Sequence, residues 1–252
     1  MADEKQDPLG QEFYAPLLLA EKSADVLFVI AGALSLAALF VTPEDGLLFR
    51  LVGLAFPLSV TALFIVTHAV RLYFFPRAQR GRLRDFLSHA YGKPLQPKQS
   101  VAYYNNSATT PPARILAQTL ESAFFTKSIL LKMCSWKRAL VVGYFGIWSI
   151  AVLNRSTDLA LIGVIAQLVF SEQIVSRYLR VEWLRSKCEA LYEQVFNLIQ
   201  GTGTTGPAPI EFFTWYETLK ATAGVSVSGR LFEQNRERLN KEWEDIRALC
   251  GF

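Results

Sequence analysis

Histidine and cysteine are scarce in this chain, and much of the chemistry that depends on them goes with them. Its 252 residues include only two histidines, His68 and His89, too few for a His-based metal centre. Cys134, Cys188 and Cys250 are an odd, widely spaced set with no CxxC pair. They read as free thiols of a reducing compartment rather than as a disulfide frame or a metal site. Catalytic signatures are missing as well: there is no P-loop, no HExxH and no GxSxG. The adjacent carboxylates Glu44/Asp45 and Glu244/Asp245 fall in a turn and on a charged helix face, where solvation accounts for them. His89 has no nucleophile or carboxylate pattern to work with. The expectation is a protein that is not an enzyme and holds no metal and no cofactor. The N-terminus is acidic and the first apolar block starts only at Val26, which argues against a cleavable signal peptide.

Charge is thin, at 19% of residues against 51% hydrophobic, and it is segregated from the apolar residues. Val26–Val41 is sixteen residues without a charge, and Thr42-Pro43-Glu44-Asp45-Gly46 then breaks the helix. Leu51–Val70 is a second apolar run, interrupted by Pro57 and His68. Ala139–Leu153 is a third, and after a turn at 154–158 comes Leu159–Phe170, twelve residues containing Gln167. A bilayer core needs about 20 helical residues, so the first and last runs are short. Their pairing across tight turns nevertheless predicts an all-α membrane protein of four transmembrane helices arranged as two hairpins. A soluble bundle of four very apolar helices is the competing architecture.

Arg71 to Arg138 carries twelve Lys/Arg against Asp85 and Glu121, a surplus of ten in a chain whose net charge is +4. The turn at 42–46 has no cation and the turn at 154–158 only Arg155, whereas Arg177, Arg180, Arg185 and Lys187 follow the fourth run. By the positive-inside rule both turns face out, and both termini and the basic stretch face the cytoplasm. The expected organisation is an N-terminal cytoplasmic or interfacial helix (1–25), a first transmembrane hairpin (26–70), a basic cytoplasmic insertion (71–138) and a second hairpin (139–172). A coiled-coil-like helix (173–200), a linker (201–209) and a helical tail (210–252) complete it.

Within the insertion, 92–107 is rich in Pro, Gly and Asn and reads as a loop. Thr110-Pro111-Pro112 opens a helix, with threonine as N-cap and proline in the first turn. Leu116, Leu120, Phe124, Leu131 and Cys134 form one side of it, and Arg114, Gln118, Glu121, Ser128 and Lys132 another. This helix can run unbroken into the third apolar run. Farther on, Ile174, Val181, Cys188 and Val195 recur every seven residues, with Leu184, Leu191 and Leu198 between them and Arg177 as the exception. Such a heptad serves either a coiled coil with a partner or packing against the Pro111 helix. The tail has an aromatic helix around Phe212, Phe213, Trp215 and Tyr216, then a charged one striped by Phe232, Leu239, Trp243 and Ile246.

Three kinds of partner suit the basic stretch: anionic lipid, a nucleotide or short oligonucleotide, and an acidic protein face. Lys/Arg beside a span attract anionic headgroups at about 1 kcal/mol each. Single-stranded nucleic acid is held by phosphate contacts together with aromatic stacking. For phosphates the candidates are Arg77, Arg80, Arg82, Arg84, Lys98, Arg114, Lys127 and Lys132. For stacking and polar contacts they are Tyr103, Tyr104, Asn105, Asn106 and Gln118. The spans hold no proton-relay cluster, since Arg50 and His68 lie near helix ends. A pore would have to form between protomers, so conduction implies a homo-oligomer, with a tetramer as the expected assembly.

The two hairpins, the basic insertion, Tyr103-Tyr104, Pro112-Ala113-Arg114 and Gln118 resemble a known bacterial group. They are similar to the SMODS-associating four-transmembrane pore-forming effectors, which accompany nucleotidyltransferases in antiphage defence. Glu121 and Phe124-Phe125 depart from that pattern, and 210–252 matches none of its motifs. The resemblance implies an inner-membrane effector gated by a nucleotide signal, with a partner nucleotidyltransferase, that depolarises the infected cell. The alternative is a non-conducting membrane scaffold that recruits a partner through its cytoplasmic helices.

Overall fold

A computed structural model describes residues 7–101, 103–154, 158–169, 171–201 and 206–252. Most of these residues are helical, with no strand among them. The helices are α1 (Ala15–Ala37), α2 (Leu47–Ala69), α3 (Phe75–Tyr91), α4 (Pro111–Leu153), α5 (Leu159–Val169), α6 (Arg177–Gly201), α7 (Ala208–Ala223) and α8 (Gly229–Cys250). Wide π-helical turns precede three of them, at Gly10–Tyr14, Val70–Phe74 and Glu172–Ser176. Through the second of these, α2 and α3 form one helical run, Leu47–Tyr91. The chain divides into two compact units, one of residues 1–15, 75–134 and 180–252, the other of residues 16–74 and 135–179.

The first unit is built like a water-soluble domain. Leu116, Leu120, Phe124, Leu130 and Cys134 of α4 meet Val181, Leu184, Cys188, Leu191 and Val195 of α6. Tyr216, Leu219 and Ala223 of α7 and Leu239 and Trp243 of α8 close the same core. The seven-residue stripe of α6 is thus filled by helices of its own chain. Residues 210–252 supply two walls of this core. Between α6 and α7 the chain passes through 202–205, the centre of the connector, which lies outside the described residues. A satellite cluster joins α3, α4 and α7 through Phe86, Ala90, Ile115 and Phe213, with the Phe86 and Phe213 rings stacked at 4.4 Å.

In the second unit the pattern is inverted. Val29, Leu54, Leu58, Phe64, Ile65, Val142, Ile147, Ile150 and Leu153 all face outward. Three helical runs, Leu47–Tyr91, Pro111–Leu153 and Ala160–Gly201, are long and apolar enough to cross a membrane, and only 11, 6 and 7% of their most apolar windows is buried within the chain. Water does not tolerate so much contiguous apolar surface, and the unit has the exterior of a membrane protein. Helix α1 is not among the three: it ends at Ala37, and Glu21, Lys22 and Asp25 lie in its first half. The expected first run of sixteen uncharged residues therefore has a helical part of twelve, Val26–Ala37.

Small residues let α1 pack inside this unit. Leu17, Ala24 and Ala31 recur on its buried side, and a Cβ on Gly32 would lie 3.1 Å from Leu168 Cδ2. Polar contacts gather at one end of the unit. Arg177, the misfit of the heptad, reaches Asp25 at 2.8 Å and Glu21 at 3.7 Å on α1. Gln173 Nε2 donates to Thr67 Oγ1 on α2 at 3.5 Å, and Arg138 Nε to Tyr178 Oη at 3.4 Å. At the opposite end of α1 the chain reverses at Thr42–Gly46, where the Asp45 carboxylate accepts from the Thr42 N–H at 2.7 Å and Gly46 adopts φ 54°. Turn residues 155–157 lie outside the described residues.

The inversion makes two substitutions diverge. Leu191→Ala, in the core of the first unit, should cost about 2–5 kcal/mol. Val142→Ala, on an outward face, should change stability by less than about 0.5 kcal/mol. Denaturant titration of the full chain in micelles, followed by near-ultraviolet circular dichroism, measures both.

Candidate anion-binding site

Helix α3 sorts its cations by face. Ala78, Gly81, Asp85 and Phe86 point inward, while Arg77, Arg80 and Arg84, spaced three and four apart, point out to solvent. Arg82 belongs to the inner side and is 12% exposed. Its guanidinium lies 4.2 Å above the Tyr103 ring centroid and 5.4 Å from that of Tyr14. Nη2 donates to Asp7 Oδ2 at 2.7 Å, and Nη1 stands 3.6 Å from Asp85 Oδ2. Burial works against this charge, but Tyr103, Tyr14 and Asp7 more than offset it, and the pKa of Arg82 ends above its ordinary value. Burial drives the Tyr103 phenol up to about 12, against the lowering pull of Arg82. Tyr104, partly buried, is raised well above its ordinary value, chiefly by desolvation.

The loop from 92 to 110 is held from three sides. On α3, the fully buried Asp85 accepts from the Ser100 N–H at 2.9 Å and from Ser100 Oγ at 2.6 Å. On α4, Glu121 accepts from the Asn105 N–H at 3.1 and 3.2 Å, and Arg114 Nε donates to the Ala108 carbonyl at 2.9 Å. On α8, Trp243 Nε1 donates to the Asn105 carbonyl at 3.2 Å, and Arg247 donates to Asn105 Oδ1. Tyr104 meets Tyr103, Phe86 and His89 edge-on. Gln118 is 2% exposed, and its Oε1 finds no hydrogen-bond partner among the described residues.

The thirteen predicted site residues are thereby divided. Arg82, Tyr103, Tyr104, Asn105 and Arg114 converge on the loop and its supports, engaged with their own chain, Gln118 is buried on α4, and Asn106 is half-buried in the loop. Arg77, Arg80, Arg84, Lys98 and Lys132 are exposed. Lys127 is placed elsewhere, with Nζ 3.6 Å above the Tyr192 ring of α6. The polar side of α4 does not face solvent in its first turns, because Ile115 to Glu121 are all buried.

Two groups escaped the sequence reading. The N-terminal segment is one: Asp7 meets Arg82, Glu12 Oε2 lies 3.0 Å from Lys98 Nζ, and Arg77 stands 5.5 Å from the Phe13 ring. The two ion pairs span 75 residues or more and the ring contact joins residues nearly as far apart, beyond any local periodicity. The other is the carboxylate and hydroxyl around His89. Asp85, four residues away on the same helix, is a signal that could have been found. Ser100 Oγ donates a hydrogen bond to Asp85 Oδ2, and His89 Nε2 lies 3.0 Å from Ser100 Oγ and 3.8 Å from Asp85 Oδ1. A serine triad needs the carboxylate on the far ring nitrogen. Here both partners crowd the same one, so no relay is built. The spacing Gly201-x-Gly203-x-x-Gly206 in the connector imitates a dinucleotide fingerprint, but it joins helices α6 and α7 and follows no strand.

Removing the buried cation should be costly. Arg82→Met leaves Asp7 and Asp85 without it, and loss of about 3–5 kcal/mol is expected in denaturant titration. Alkali gives a second measure. Tyr103 holds its proton more tightly folded than unfolded, so its contribution is whole below its ordinary pKa of 10.0 and is lost as pH rises through about 12. Tyr103→Phe should make that alkaline loss shallower, as read by circular dichroism against pH.

Comparison of the chain with protein-family models, curated proteins and solved structures returns no match.

Proposed function

We propose that this chain is a signal-gated membrane effector, its four apolar stretches crossing a bacterial inner membrane as two hairpins with both termini in the cytoplasm. Its first unit reads an anionic nucleotide or short oligonucleotide. The observation that carries this reading is helix α4, 43 residues without a break. Its first half is the centre of the folded unit and supports the loop bearing Tyr103 and Tyr104. Its second half is one of the outward-facing apolar spans. Any change in how the loop or α3 packs on residues 114–121 bears on a helix that is also part of the pore-forming layer. A ligand with different affinities for two such packings sets the balance between them.

The polar contacts of Arg177 with α1, Gln173 with α2 and Arg138 with Tyr178 support the hairpin arrangement, since they gather the cytoplasmic ends of four apolar stretches. The resemblance to the four-transmembrane effectors supports the biological setting: an antiphage system with a nucleotidyltransferase as signal source, a homotetrameric pore, and growth arrest by depolarisation. Arg80 and Arg84, exposed on α3, are the first contacts offered to a phosphate, at a site with anionic lipid as a competitor.

Proteoliposomes test the proposal. Purified chain in neutral phosphatidylcholine vesicles should change its potassium flux when a short oligonucleotide or cyclic nucleotide is added to the cytoplasmic face. Arg80→Glu with Arg84→Glu should weaken that response by about tenfold, equivalent to roughly 1.4 kcal/mol of binding. Flux that stays at the level of empty vesicles under every ligand, from a verified oligomer, would sink the channel and favour a non-conducting scaffold.

A further inference from the structure

The predicted anion site already has an anionic occupant, and it comes from the same chain. Residues 7–14 lie along α3 with Leu9 buried and Phe13 pressed on Gly81, where a Cβ would stand only 2.8 Å from the ring. From this segment two carboxylates reach two of the predicted phosphate-binding cations: Asp7 to Arg82 at 2.7 Å and Glu12 to Lys98 at 3.0 Å. Tyr14 adds an aromatic face to the cation that Tyr103 covers from another side. A carboxylate on a guanidinium held against aromatic rings reproduces the charge-assisted bond that a phosphate oxygen would make there.

We propose that residues 7–14 form an internal strap that occupies the Arg82–Lys98–Tyr103 site in place of a phosphate-bearing ligand, so that binding requires the strap's carboxylates to be displaced. This deepens the reading of the first unit as a receptor for a nucleotide or oligonucleotide and rests on it. The two contacts differ in kind. Asp7 also accepts from the Gly10 N–H at 3.2 Å, so it caps the start of the helical segment it belongs to. Glu12 and Lys98 are 38 and 65% exposed, a surface pair whose loss leaves the core intact. The strap is thus fastened at a deep point and latched at a shallow one.

The test uses the full chain in phosphatidylcholine nanodiscs, which offer no anionic headgroup, with a fluorescein-labelled hexathymidylate as probe read by anisotropy. Asp7→Asn with Glu12→Gln should bind the probe about tenfold more tightly than the unaltered chain. Adding Lys98→Glu should remove most of that gain. Should the double variant loosen the fold, Glu12→Gln alone still decides, with an expected gain of about threefold because only the exposed latch is opened. Hydrogen exchange at residues 9–14 should rise when the probe binds the unaltered chain. Equal affinity for the unaltered chain, the single variant and the double variant overturns the strap, as does an absence of binding to all three. Flux separates this from the channel reading. Tighter binding without conduction leaves the strap standing and removes the pore. Probe-dependent conduction whose half-maximal concentration is the same in all three proteins does the reverse.

Discussion

Helix α4 keeps its α-helical backbone from end to end while its surroundings change, so its side chains must carry the difference. That constraint governs α4 and, through it, the whole chain. From Ile115 to Glu121 every side chain of α4 is covered by protein. By Leu131, half exposed, and Trp136, 72% exposed, the apolar residues have turned outward. Nothing in the backbone marks the change. Only a medium other than water makes both halves stable, because an outward Ile147 or Ile150 loses its hydrophobic stabilisation in water and keeps it in lipid. The run from α2 to α3 makes the same change in the opposite direction, from Leu54 and Leu58 facing out to Phe86 and Ala90 facing in.

The inward half has to deal with charge as well as with oil. Asp85 and Glu121 are the only acids of the basic stretch, and both are buried. Neither is wasted on solvent. Asp85 accepts two hydrogen bonds from Ser100, and Glu121 accepts the Asn105 N–H shared between its two oxygens. A carboxylate taken out of water needs such donors to replace the hydrogen bonds it gives up, and a loop rich in Pro, Gly and Asn needs such anchors to hold one conformation. The two needs meet at the same atoms. Trp243 and Arg247 complete the arrangement from α8, so the loop that bears Tyr103 and Tyr104 is clamped by elements from three distant parts of the sequence.

Much of the architecture was legible beforehand because it is written in local periods. The proline start of α4, its continuation past Arg138, the loop after α3 and the seven-residue stripe of α6 all follow from spacing and from helix breakers. The apolar runs marked the unit that faces outward. The first run overstated its helix, since Ala38 to Val41 carry no breaker and yet the chain is already turning there. The site was less legible. Apolar periodicity assigns a helix one buried face, whereas residues 115–121 are buried all round, so the side with Gln118 and Glu121 read only as a second, polar face. Pairings such as Asp7 with Arg82 or Asn105 with Trp243 leave no trace in spacing at all.

The largest difference between sequence and structure concerns what a surplus of ten positive charges means. Counted along the chain it suggests a diffuse basic surface. In three dimensions Arg82 is neutralised by Asp7 and Asp85, Lys98 faces Glu12, Arg114 is bound to a carbonyl, and Lys127 sits over Tyr192 of α6. The cations exposed on α3 are Arg77, Arg80 and Arg84, a single stripe along one helix face. Exposed charges farther apart than about 8–10 Å are largely screened at physiological salt. The field met by an anion approaching α3 is therefore set first by this stripe rather than by the net charge of the module. On the proposed strap, the stripe attracts a polyanion and the buried Arg82 behind it holds a phosphate only after its internal carboxylate has left. That proposal gives attraction and occupancy to different residues, so that an outer contact forms before the inner one is exchanged.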